Sequence, residues 1–144
     1  MAVSFAEMTV GNAYSRYDLA KLWGYAGVEA ISRGVVTPRD DNKIILFVTL
    51  NKNPDAEQYD DELVGSVLLW EGPNDHFAEE RMLAHRQTGD EVHLLYRQEH
   101  RDDFTYAGQL RLYCCQRFTD RPSRFVFRLR SDAGQADAEP RAVR

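Results

Sequence analysis

The run Lys43-Ile44-Ile45-Leu46-Phe47-Val48-Thr49-Leu50 is apolar nearly throughout. A strand with one wet face alternates apolar and polar residues, whereas a strand covered on both faces does not. This run therefore reads as the central strand of a sheet with protein packed above and below it. Such a strand needs a sizeable core, and the chain can supply one. It has 144 residues, 43% of them hydrophobic and 28% charged. That is one ordinary domain, and at this size folding buries roughly 68% of the unfolded surface. The composition excludes disordered and collagen-like chains. No apolar run approaches the roughly 18 residues of a membrane span. Met1 to Glu7 carries no basic stretch leading into an apolar one, so no signal peptide is visible, and a cytoplasmic protein with no membrane partner is expected.

The remaining segments supply the rest of the sheet. Residues 30–36, 63–70, 92–97, 104–115 and 124–130 read as strands bounded by polar or Gly/Pro turns. Ser15-Arg16-Tyr17-Asp18 is a capping box that opens a short helix, with Leu19, Leu22 and Trp23 on one face and Gly24 as its stop. A second helix is expected across 76–88, with Phe77, Met82 and Leu83 inward and Gly89 closing it. Strands and helices do not alternate as in a Rossmann sheet. The fold class expected is α+β: a bent, mostly antiparallel sheet or small β-barrel with two short helices. Residues 1–130 are expected to form a single domain, with 131–144 a flexible tail or linker.

Charge is unevenly spread over a net −5. Residues 53–103 hold 14 acids against four arginines, whereas 111–130 hold six arginines against Asp120 alone. Fifteen of the 18 basic residues are Arg, the fork-shaped donor suited to phosphate and carboxylate. Arg124, Arg128 and Arg130 alternate with Phe125, Phe127 and Leu129, and Arg111 joins their stripe if the last two strands pair. The same pattern also describes an ordinary solvated face.

Motifs for familiar chemistries are missing. The chain has neither G-x-G-x-x-G nor G-x-x-x-x-G-K-[ST], and no G-x-S-x-G elbow. His76, His85, His93 and His100 have spacings unsuited to zinc. Adjacent Cys114 and Cys115 point to opposite faces of a strand and read as reduced structural residues. No cofactor and no metal are expected. Asp41-Asn42-Lys43 matches the D-x-K triplet of metal-dependent nucleases but sits in a turn, where Asx residues are common for geometric reasons. Tyr14, Tyr17, Tyr25, Tyr59 and Trp70 stand at element ends or in polar surroundings. Aromatic rings so placed can stack on a flat base, and an adjacent acid such as Asp60 can accept from its amino edge.

The order of these segments is that of a known family. It runs from Tyr14-Ser15-Arg16-Tyr17-Asp18-Leu19 through Gly34-Val35-Val36, Ile44 to Val48 and Tyr59-Asp60-Asp61. Leu69-Trp70-Glu71-Gly72-Pro73 with His76 follow, then Gly89 to Arg97 and Phe104 to Gly108. Over roughly residues 10–130 it resembles the SRA-like modules of the PUA superfamily appended to modification-dependent restriction endonucleases. That resemblance implies a non-catalytic module of a restriction system that binds double-stranded DNA with a modified base, a modified cytosine above all. The base would be flipped into an aromatic pocket, and a fused or separate nuclease would do the cleaving. By motif position the pocket would be Tyr59, Asp60, Trp70 and Tyr17. The DNA backbone would be met by Ser15, Arg16, Arg33, Arg111, Arg124, Arg128 and Arg130. The readings held against it are an RNA-binding PUA-type domain, a small metal-dependent nuclease using Asp41 and Lys43, and a protein-interaction domain using the acidic middle segment.

Overall fold

A computed structural model describes residues 3–51 and 61–130. The apolar run becomes strand β3 (Lys43–Thr49), in which Ile44 to Val48 are all buried. Its two faces serve two cores, as an unalternating strand requires. Ile44, Leu46 and Val48 join one cluster with Leu68, Trp70, Leu94, Phe125 and Phe127. Ile45 and Phe47 join another with Leu19, Trp23, Ile31, Phe104 and Tyr106.

The other strands are β1 (Ala13–Tyr14), β2 (Val35–Val36), β4 (Glu62–Val64), β5 (Val67–Glu71), β6 (Glu91–Arg97), β7 (Phe104–Gln116) and β8 (Arg124–Leu129). The sheet runs β2-β3-β6-β7-β8-β5-β4, with β1 paired to β7. Among the described residues only β3 and β6 pair in parallel, from Lys43 opposite Glu91 to Thr49 opposite Arg97, and the other pairs are antiparallel. Val35 of β2 and Trp70 of β5, near opposite ends of this path, share one core. The sheet is therefore strongly curled, yet among the described residues β2 and β4 do not pair with each other. Of the two architectures expected from sequence, the bent open sheet is the one found.

Helix α1 (Arg16–Leu22) opens as its capping box dictates. Ser15 Oγ accepts from the Asp18 N–H at 2.9 Å, and the Asp18 carboxylate accepts from the Ser15 N–H at 3.0 Å. Helix α2 (Glu79–Thr88) starts three residues later than expected, because His76 and Ala78 adopt left-handed backbone (φ 58° and 64°) that a helix cannot include. Two further expectations need correction. Residues 30–36 form a 3₁₀ turn (Glu29–Ile31) and the two-residue β2 rather than one strand. Residues 63–70 form a hairpin, broken where Gly65 takes φ +61°. Among the described residues no helix is long and apolar enough to cross a membrane. Cys114 and Cys115 are free, on opposite faces of β7, and burial pushes the Cys115 thiol up to about 11.

Buried histidines make stability depend on pH. His85 Nε2 accepts from the Leu112 N–H at 3.0 Å, which only a neutral ring can do, while Nδ1 faces the Asp90 carbonyl at 3.2 Å. Burial lowers its pKa, and burial lowers that of His93 despite the nearby Glu91. Below the ordinary histidine value the unfolded chain binds protons that the folded chain refuses, so stability falls as pH drops through roughly 6.5. Thermal melts should lose several degrees between about pH 7.5 and 5, and His85→Gln should flatten part of that slope. Equal slopes in parent and variant would remove His85 from this account.

Candidate functional site

Where the sheet curls, the ends of β3 and β5 line a cavity of about 360 Å³. This lies within the roughly 300–1,000 Å³ of small-molecule pockets. Phe47, Val48 and Thr49 form one wall, and Trp70 to Pro73 with Phe77 form the facing one. Trp70 is only 6% exposed and tilts against Phe125 and Phe127 at 5.3 and 6.0 Å. It is a wall rooted in the core, not a free-standing ring. Gly72 lets that wall pass close over the core: a Cβ there would stand 3.1 Å from the Phe125 ring. The lining is mostly apolar, with a few polar groups among it, which is the usual build of a small-molecule site.

Two acids line the cavity, Asp61 and Glu71, and Glu71 is already met by Arg124. Asp61 Oδ1 accepts from the Glu71 N–H at 2.9 Å, which ties the carboxylate to the end of β5 beside Trp70. Tyr59 and Asp60, the pocket residues chosen from sequence, lie outside the described residues. Tyr17 does not line the cavity: it stands on the solvent side of α1, 67% exposed. The buried face of α1 is set by Leu19 and Ala20, and Arg16, three and four residues before them, lies on that side.

Arginines expected at a DNA backbone fall into two groups. Arg33 lies at the mouth, over the Phe77 ring at 4.5 Å and within 3.4 Å of Asp75. Arg16 lies behind Phe47, its guanidinium 4.3 Å from that ring and 5.1 Å from Phe104, donating to the Ile31 carbonyl. Burial and the nearby Arg97 lower its pKa to about 10. Ser15 is occupied as the helix cap. Arg111 and Arg128 are cross-strand partners on β7 and β8, so the stripe forms. With Arg124 and Arg130 it occupies the face opposite Phe125 and Phe127, turned away from the core that Trp70 shares. Arg124 reaches the cavity's edge through Glu71 at 3.6 Å.

Arg97 and Thr49 were given no role from sequence, and His100 was weighed only as a zinc ligand. Arg97 Nε donates to Thr49 Oγ1 at 2.9 Å, and Arg97 Nη2 lies 3.4 Å from His100 Nδ1. Thr49 and His100 both line the cavity. The signal was the parallel register that sets Arg97 opposite Thr49, invisible until β3 and β6 are known to pair.

The D-x-K triplet has other duties. Asp41 accepts from the N–H groups of Val3 and Asn42 at 2.6 and 2.7 Å and stands 3.5 Å from Lys43 Nζ. Burial raises its pKa, but those two N–H groups and the ammonium more than offset this and hold it below the usual carboxylate range. Among the described residues no three His, Cys, Asp or Glu side chains gather where they could hold a metal.

No family model matches the chain, and no curated protein does. Solved structures do. The SRA domain of SUVH5, solved with fully methylated CG DNA, is similar over 90% of this chain and 93% of its own (TM-score 0.56, 14% identity). The DNA modification-dependent restriction endonuclease AspBHI is similar over 90% of this chain and 80% of its own (TM-score 0.52, 11% identity). At such low identity the likeness is one of architecture: this chain has an SRA-like fold.

Proposed function

We propose that this chain is a non-catalytic reader of double-stranded DNA carrying a modified base, a modified cytosine above all, and that it takes the base out of the helix into the cavity between β3 and β5. One observation carries the reading: a ring-walled cavity with a fixed carboxylate, Asp61, inside an SRA-like fold. Extruding a base costs a few kcal/mol. Stacking contributes about 1–3 kcal/mol per base, and a carboxylate accepting from cytosine's amino group discriminates by a similar amount. Together these offset the extrusion for a base that fits. Arg33 at the mouth favours the polyanion. A nuclease, fused or separate, is the partner such a reader calls for.

The test is an anisotropy titration of plain duplexes against duplexes with 5-methylcytosine, 5-hydroxymethylcytosine or glucosylated cytosine, at several salt concentrations. At least one modified duplex should bind about tenfold tighter or better, and 2-aminopurine beside the modified base should brighten as the stack opens. Equal affinity for every duplex would overturn the reading, and single-stranded RNA outcompeting them all would replace it with an RNA-binding role.

A further inference from the structure

Partly buried charges are normally paired, because an unpaired one loses hydration without compensation. Most cations of this fold obey. Arg33 meets Asp75, Arg81 meets Asp90, Arg117 meets Glu79 and Glu80, and Arg124 meets Glu71. Arg16 and Arg97 do not. Both are half-buried, both lie over the Phe104 ring (5.1 and 4.3 Å from its centroid), and no carboxylate of the described residues pairs with either. Arg16 donates to the Ile31 and Arg33 carbonyls. Arg97 donates to Thr49 Oγ1 and the Asp102 carbonyl. Asp102 favours the Arg97 charge without forming an ion pair with it, and its carboxylate accepts from the Glu99 N–H at 3.0 Å. Two cations are thus held near one another by rings and neutral oxygens, against their own repulsion. His100 and Thr49 connect this pair to the cavity wall.

We infer that Arg16 and Arg97 form a receptor for one backbone phosphate, the one attached to the nucleotide whose base enters the cavity. This inference rests on the proposed base-extrusion reading and adds to it. In a base-paired duplex no phosphate need reach so far back. Once a nucleotide is swung out, its phosphate follows it toward the mouth, and the paired guanidiniums gain the anion that the fold withholds. The phosphate then rewards extrusion and not mere contact, so the pair sharpens preference for a modified base without touching that base.

The experiment combines a protein variant with a neutralised backbone. Arg97→Gln should lower the slope of log affinity against log salt by about 0.9 for the preferred modified duplex, leaving the plain duplex's slope unchanged. Replacing a phosphate that flanks the modified base by methylphosphonate should weaken binding to the parent protein about tenfold or more. It should have little further effect on Arg97→Gln, and Arg97→Lys should recover part of the loss. The methylphosphonate arm leaves the protein intact, so it decides even if the variant folds poorly. If the parent discriminates modified from plain DNA but ignores methylphosphonate on either side of the base, the receptor is wrong while the reader stands. If Arg97→Gln lowers both slopes equally, Arg97 is a general backbone contact and this inference fails. No discrimination by the parent at all would instead sink the reading beneath it.

Discussion

Trp70→Ala should melt roughly 10–20 °C below the parent chain, because removing a core tryptophan costs about 3–5 kcal/mol in a domain of this size. The expectation follows from where the ring sits. Trp70 is almost wholly buried, packed on Phe125 and Phe127 in the cluster that also holds Leu68 and Leu94. Truncating it empties the cavity wall and the core together. DNA binding by this variant is therefore a poor guide to the wall's role. Trp70→Phe separates the two: it keeps an aromatic wall and most of the packing, so it should melt within a few degrees of Trp70→Leu. If the wall stacks on a base, the phenylalanine variant should retain far more preference for modified DNA than the leucine variant. A small melting shift for Trp70→Ala would contradict the packing described above.

Asp61→Asn should abolish most of the discrimination between modified and plain duplexes, by about 10- to 100-fold, while leaving the melting temperature nearly unchanged. Asparagine keeps an oxygen that can accept from the Glu71 N–H, so the end of β5 stays tied. What changes is the charge and the acceptor character offered to a base. Plain duplex should bind as before or slightly tighter, since one negative charge has left the mouth. Asp61→Ala should additionally cost about 1–3 kcal/mol of stability, because it orphans that N–H. Unaltered affinity for the preferred modified duplex in Asp61→Asn would show that the carboxylate does not touch the base.

The parts of this molecule governed by local rules were legible in the sequence. The capping box at Ser15 and Asp18, the two-faced burial of Ile44 to Val48 and the alternation of Arg124, Arg128 and Arg130 with Phe125, Phe127 and Leu129 all follow from neighbours or from simple alternation. What escaped was set by tertiary geometry. The late start of α2 depends on two left-handed residues, His76 and Ala78, and alanine is not a type that signals that backbone. The site was only half legible for the same reason. Trp70 was found from its segment, but Asp61 emerges as a cavity acid only when β5 and the curl of the sheet bring it beside Trp70. Arg16 and Arg97 are far apart in the chain and meet over a phenylalanine that carries no chemical signal of its own.

The single parallel pairing has a consequence during synthesis. β3 can gain its long neighbour only after β6 emerges, about 50 residues later, and at about 5–20 residues per second that is a wait of several seconds. Until then the most water-averse stretch of the nascent chain has only two-residue β2 to cover one edge. Ribosome-bound intermediates cut short before Arg97 should be the ones that recruit holdase chaperones, and those extending past β8 should release them.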